Sequence, residues 1–137
     1  MLKRLNQEGI TILVSTPYMD EASLCERIAL MQGGKIMSVD TPQKITEQYP
    51  KKLFAVRAQS MHALLDDVRS HDLVESCFAF GSHHHLTFMS KDQGNESNLL
   101  AYLDKLEHRD IDFHEVSPSI EDCFIHLMNQ DDNRGRN

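Results

Sequence analysis

Apolar positions along this chain follow two rhythms, and the change between them near residue 50 divides it. Before that point the pattern comes in short pieces. Leu2 and Leu5, three apart, mark the end of an amphipathic helix that Gly9 stops. Residues 10–14, rich in apolar and β-branched side chains, read as a strand buried on both faces, as in a parallel sheet. Asp20 and Glu21 then fall in the first turn of a short helix, where their charge meets the positive end of the helix dipole. Residues 27–32 and 35–39 make two short strands around Gly33-Gly34, a pair suited to a two-residue hairpin turn. Thr41 is a good N-cap and Pro42 fits the first helical position, so a new helix starts there. Tyr49-Pro50 ends it.

Beyond Pro50 the elements lengthen. A strand is expected over 52–58 and a helix over 60–71, with Met61, Leu64, Leu65 and Val68 on one face. Residues 74–80 alternate, placing Val74, Phe78 and Phe80 on one side of a strand. After Gly81-Ser82 the chain returns over 84–89 with Leu86 and Phe88 on one side. A polar loop at 93–96 leads to a helix over 98–108 carrying Leu99, Leu100, Leu103 and Leu106, and a last strand covers 111–116. Strand, helix, strand, strand, helix, strand is the order of the ferredoxin-like split βαβ motif. A final helix over 119–129 follows, with Ile120, Cys123, Phe124, Leu127 and Met128 at helical spacing and Ser119 with Asp122 as a capping box. The fold class is α/β in the broad sense, of α+β type. The expected pieces are 1–50, 51–130 and a disordered tail at 131–137.

Composition narrows the function classes. The chain has 137 residues and a formal net charge of −7, which argues against a general nucleic-acid surface and against direct binding to anionic lipid. No apolar run reaches the roughly 20 residues that span a bilayer, so no direct membrane insertion is expected. Cys25, Cys77 and Cys123 are odd in number and widely spaced, which fits free thiols in a reducing compartment better than disulfides or a zinc knuckle.

Several short motifs in the first piece occur in a telling order. They are Ser15-Thr16, Tyr18-Met-Asp-Glu-Ala22, the run Arg27-Ile-Ala-Leu-Met31, Gly34-Lys35-Ile36 and Asp40-Thr-Pro42. Together they resemble the C-terminal part of the nucleotide-binding domain of ABC-transporter ATPases. In the second piece, Ser117-Pro-Ser-Ile-Glu-Asp-Cys-Phe-Ile-His-Leu-Met128 resembles the motif that closes ATPases of the drug-resistance and multidrug exporter group. The resemblance implies a parent ATP-hydrolysing subunit that uses ATP and magnesium. It implies a membrane permease and a second ATPase copy as partners, at the cytoplasmic face of the cell membrane. Residues 51–130 would then be an accessory domain with a regulatory or assembly role.

Two departures qualify that expectation. A Gly-rich phosphate loop ending in Gly-Lys-Ser or Gly-Lys-Thr is missing from the sequence, as are the ABC signature and the acidic strand end that positions magnesium. The chain by itself is therefore expected to be non-catalytic and without bound cofactor, either an excised piece or a truncated reading frame. The second departure is at the nucleotide-switch position after Thr16. Where the family has a His that senses the γ-phosphate, this chain has Pro17, which offers neither a side-chain donor nor a backbone N–H. Either the parent works with a weakened or different sensor, or it is a variant whose activity is retained through its general base.

Other residues invite chemistry with less support. His83, His84 and His85 alternate across a strand, so at most His83 and His85 share a face. Two imidazoles without a carboxylate or thiol make a poor metal site. No metal site is expected. His126 reads as a boundary residue, and Glu121 with Asp122 as helix-start carboxylates. An alternative from another class is a small-molecule sensor, since split βαβ domains bind ligands at strand edges; this rests on fold analogy. The strand at 10–14 would need a partner, and a homodimer through that segment is expected.

Overall fold

The computed structural model describes residues 1–135. The backbone separates into two compact units, one made of Met1–Gln48 with the C-terminal segment from Ser119, the other of Tyr49–Pro118.

The first unit contains α1 (Leu2–Gln7), α2 (Met19–Ala22), the hairpin β1 (Ile28–Gln32) and β2 (Lys35–Asp40), and α3 (Pro42–Glu47). The last helix, Ile120–Arg134, belongs to it and is numbered α6 below. Gly33 and Gly34 take φ of +55° and +75° between the register partners Gln32 and Lys35. Only a glycine pair enters that left-handed turn without steric cost, so the hairpin follows from the sequence. The Thr41 hydroxyl accepts from the Lys44 N–H at 3.3 Å, and Pro42 opens α3. At the start of α6, Ser119 and Asp122 form a reciprocal capping box: the Ser119 N–H donates to the Asp122 carboxylate at 2.8 Å, and the Asp122 N–H donates to the Ser119 hydroxyl at 3.2 Å. Helix α3 packs on α6. Ile28, Leu30, Ile45, Ile120 and Cys123 are the buried apolar residues of this unit.

Three expectations are corrected here. Residues 10–14 are irregular rather than a strand, and Ile10, Leu13 and Val14 are exposed, Leu13 at 97%. A strand exists only where a neighbour accepts and donates along its ladder. Among the described residues no strand pairs with this segment. The final helix runs to Arg134, where a disordered tail from 131 was expected, and residues 136 and 137 lie outside the described residues. It was also expected to complete the second piece, yet its apolar face lies on α3.

The second unit contains β3 (Leu53–Arg57), α4 (Met61–Ser70), β4 (Val74–Phe80), β5 (His83–Phe88), α5 (Asn95–Lys105) and β6 (Asp112–Val116). The sheet order is β4-β5-β3-β6, with every neighbouring pair antiparallel. This is the split βαβ arrangement that the element order predicts. Its core lies between one sheet face and the two helices. Leu64 and Val68 of α4, Leu99 and Leu103 of α5, and Phe54, Val56, Leu86 and Phe88 of the sheet are buried there. Phe54 touches Phe88 edge-on at 5.4 Å and stacks on Phe113 at 5.3 Å.

The alternation expected for β4 is shifted. A bulge between Val74 and Ser76 changes the register, so Val74 and Cys77 are the buried residues and Phe78 and Phe80 are only half-buried. An extra residue on one strand moves every later side chain to the opposite face. Helix α5 begins at Asn95, inside the expected polar loop. The Asn95 amide is buried and donates to the Ser90 carbonyl at 3.0 Å. The helix ends in a left-handed turn at Glu107, φ +63°. There the Glu107 N–H donates to the Asp104 carbonyl at 3.0 Å and the His108 N–H to the Leu103 carbonyl at 3.1 Å, the paired bonds of a Schellman end.

Candidate functional site

Thr16 and Pro17 lie in the irregular stretch that leads into α2, Thr16 half-buried and Pro17 exposed. Thr16 is already engaged. Its hydroxyl donates to the Glu21 carboxylate at 2.6 Å and accepts from the Tyr18 N–H at 3.0 Å. This closed turn sets the entry to α2, whose first turn carries Asp20 and Glu21. The Thr16 hydroxyl is therefore committed locally, and Pro17 offers neither a side-chain donor nor a backbone N–H. Chemically, Thr16 positions the start of α2, and Pro17 fixes the backbone before it.

A second constellation is assembled by the sheet of the second unit. His84 faces the core, where it is buried and its Nε2 lies 2.7 Å from the Met61 carbonyl. Its neighbour His83 therefore faces the other side of the sheet, which neither α4 nor α5 covers. On β6, Asp112 and His114 are two residues apart and share that face, as register partners of Arg57 and Ala55 on the intervening β3. His83 Nε2 lies 3.1 Å from Asp112 Oδ2, and His114 Nδ1 lies 3.2 Å from Asp112 Oδ1. The two rings meet edge-on at 5.5 Å. One ligand-capable atom from each of the three side chains falls within 4.8 Å of the others. His83 Nδ1 is in turn 2.9 Å from the Ser82 hydroxyl. Hydrogen bonds from His83 and then His114 hold the Asp112 carboxyl below the usual carboxylate range.

His85 does not join this group; its ring stacks on Phe80 at 4.1 Å. Strand alternation alone pairs His83 with His85, without a carboxylate. The carboxylate comes from a strand 29 residues further on. The legible signal is the Asp-x-His spacing at 112–114, which puts both side chains on one face of any strand. Asp122, Glu121 and His126 stay with their structural roles: Asp122 in the capping box, Glu121 in the first turn of α6, and His126 Nε2 2.9 Å from Gln130 Nε2.

Comparison with known proteins finds similarity over part of the chain. No protein-family profile matches the chain. It is 40% identical over 42 residues to the Probable multidrug ABC transporter ATP-binding protein YbhF of Escherichia coli, a stretch covering 31% of this chain and 7% of that protein. It is 44% identical over 50 residues to the Energy-coupling factor transporter ATP-binding protein EcfA1 of Clostridium novyi, covering 36% of this chain and 18% of that protein. The EcfA1 protein of Symbiobacterium thermophilum is 37% identical over 49 residues, 35% of this chain and 17% of the relative. The chain thus spans under a fifth of the length of the relatives it matches. Their names differ in the transporter and share the description ATP-binding protein. Over about a third of its length, the chain is similar to ATP-binding proteins of ABC-type transporters.

Proposed function

We propose that the chain is the C-terminal portion of the ATP-binding subunit of an ABC-type exporter, in which Tyr49–Pro118 regulates or assembles the ATPase and does no chemistry itself. In this reading the parent binds ATP and magnesium, pairs with a second copy and works at the inner face of the membrane through a permease. Thr16 and Pro17 occupy the nucleotide-switch position. The single observation that supports it is the ordered run of motifs from Ser15 to Pro42, joined by identities of 37–44% to transporter ATP-binding proteins. The engagement of Thr16 with Glu21 fits a segment whose task is to shape a turn beside the nucleotide.

The test is a chimera in which the matched stretch of the Clostridium novyi relative is replaced by this chain's residues, with either Pro17 or Pro17→His. Magnesium-ATP hydrolysis and nucleotide affinity are measured on both. The expected result is hydrolysis above background in the Pro17 chimera and faster single turnover with His, because an imidazole can orient the phosphate or the attacking water. Chimeras that bind nucleotide like the parent, yet hydrolyse none with either residue, overturn the reading.

A further inference from the structure

We propose that His83, Asp112 and His114 form a binding site for a divalent transition-metal ion of the zinc type, on the sheet face of the second unit that its helices leave uncovered. Two imidazoles and one carboxylate are a donor set that zinc and its neighbours accept and that magnesium and calcium, which demand oxygen, do not. Bonds of about 2.0–2.1 Å to a tetrahedral ion place neighbouring ligand atoms about 3.4 Å apart. The two rings already meet Asp112 near that length, but at different oxygens: His83 Nε2 is 3.1 Å from Oδ2 and His114 Nδ1 is 3.2 Å from Oδ1. Small side-chain rotations bring one Asp112 oxygen to both rings, since one ligand atom from each of the three side chains already lies within 4.8 Å of the others. An ion would replace the protons that now bridge Asp112 to each ring, so the existing hydrogen bonds are the apo form of the same contacts.

Further features mark this as more than a chance meeting of side chains. All three ligands stand on paired strands, His83 opposite Phe80 of β4 and Asp112 and His114 opposite β3, which holds them more rigidly than loops do. The Ser82 hydroxyl sits where a metal-bound imidazole needs its other ring nitrogen anchored, leaving Nε2 of His83 for the ion. Ala55, the register partner of His114, adds no bulk between the strands. One charge opposes binding: Arg57, the register partner of Asp112, stands on the same face. Three protein ligands leave at least one coordination position for water or for a group from another molecule.

Zinc binding to the full chain is measured by titration calorimetry, with cobalt absorption as a report of four-coordinate geometry. The expected result is one ion per chain. Asp112→Asn, His83→Ala and His114→Ala should each weaken binding by more than tenfold, and Ser82→Ala by about tenfold. Arg57→Ala should tighten it. His62→Ala and Cys25→Ser, which alter an exposed imidazole and a thiol elsewhere, should leave the affinity unchanged. Circular dichroism confirms that each variant is folded. The site is refuted if zinc fails to bind the wild-type chain, or if folded Asp112→Asn and His114→Ala bind it as tightly as wild type.

Discussion

The Cys123 thiol lies 3.5 Å from the carbonyl oxygen of Ile45, joining helices that are 78 residues apart in sequence. Both side chains are buried, at 5% and 3% exposure. The contact lies within the packing of α3 on α6 in the first unit. Cys123→Ala should lower the stability of that unit by about 1 kcal/mol, measured by urea unfolding followed with a probe on α6. The segment Tyr49–Pro118, which holds its own sheet, two helices and core, should melt cooperatively when expressed alone. A broad, non-cooperative calorimetric transition for that segment would contradict the division into units.

The cysteines should differ sharply in reactivity. Burial pushes the Cys77 thiol up to about 12, partly offset by Arg69, and the Cys123 thiol up to about 11, with Asp122 adding to the rise. Cys25 is half-buried. Because the thiolate is the nucleophile, an alkylating reagent at pH 8 should modify Cys25 quickly and the other two only as fast as the protein opens. The same shifts predict alkaline weakening. Folded pKa values above the ordinary thiol value of 9.0 mean that the unfolded chain releases these protons first. Stability present below pH 9 should therefore fall as pH rises toward about 11 and then about 12. Native-state thiol titration and denaturation curves from pH 8 to pH 11 check both statements.

Glu107 holds a left-handed conformation at the end of α5, where glycine is the favoured residue. The Schellman bonds to Asp104 and Leu103 carry it there despite the steric cost. Glu107→Gly should stabilise the chain by about 0.5–1 kcal/mol, the relief of strain exceeding the added freedom of the unfolded chain. Thermal unfolding of the variant beside the wild type measures it, and a lower midpoint would show that the Glu side chain contributes more than its backbone costs.

Exposed Ile10, Leu13 and Val14 form an apolar, β-prone segment with no strand beside it among the described residues. The chain should self-associate through this segment, and Leu13→Lys should shift the equilibrium toward monomer. Sedimentation over a wide concentration range tests this. Monomer at every concentration for the wild-type chain would refute it.

Sequence patterning made the local structure legible where one residue type had a single physical use. Gly33-Gly34, Thr41-Pro42 and Ser119 with Asp122 each prescribe a turn or cap through backbone geometry. The periodic faces of α4 and α5 prescribe burial in the same way. What stayed hidden depended on neighbours distant in sequence. The bulge at Val74–Ser76 is set by pairing with β5, so alternation alone put Phe78 where Cys77 belongs. Residues 10–14 have strand propensity, and only a partner would make them a strand. Asp112 and His114 meet His83 across β3, a juxtaposition fixed by sheet order rather than by any local pattern. Thr16 and Pro17 were found by motif order, and their local bonding to Glu21 and Tyr18 could not be read from that order.

The first unit is interrupted by the second, and this sets an order of assembly during synthesis. A ribosome delivers chain at about 5–20 residues per second, and domains fold as units once their parts have emerged. Residues 1–48 leave before the second unit, yet α3 must wait for α6 to cover Ile45. Meanwhile β6 completes the four-stranded sheet before α6 is made. The unit that holds the earlier residues is therefore completed after the one inserted in it, and for several seconds the side of α3 that α6 covers is open to chaperones and to neighbouring nascent chains.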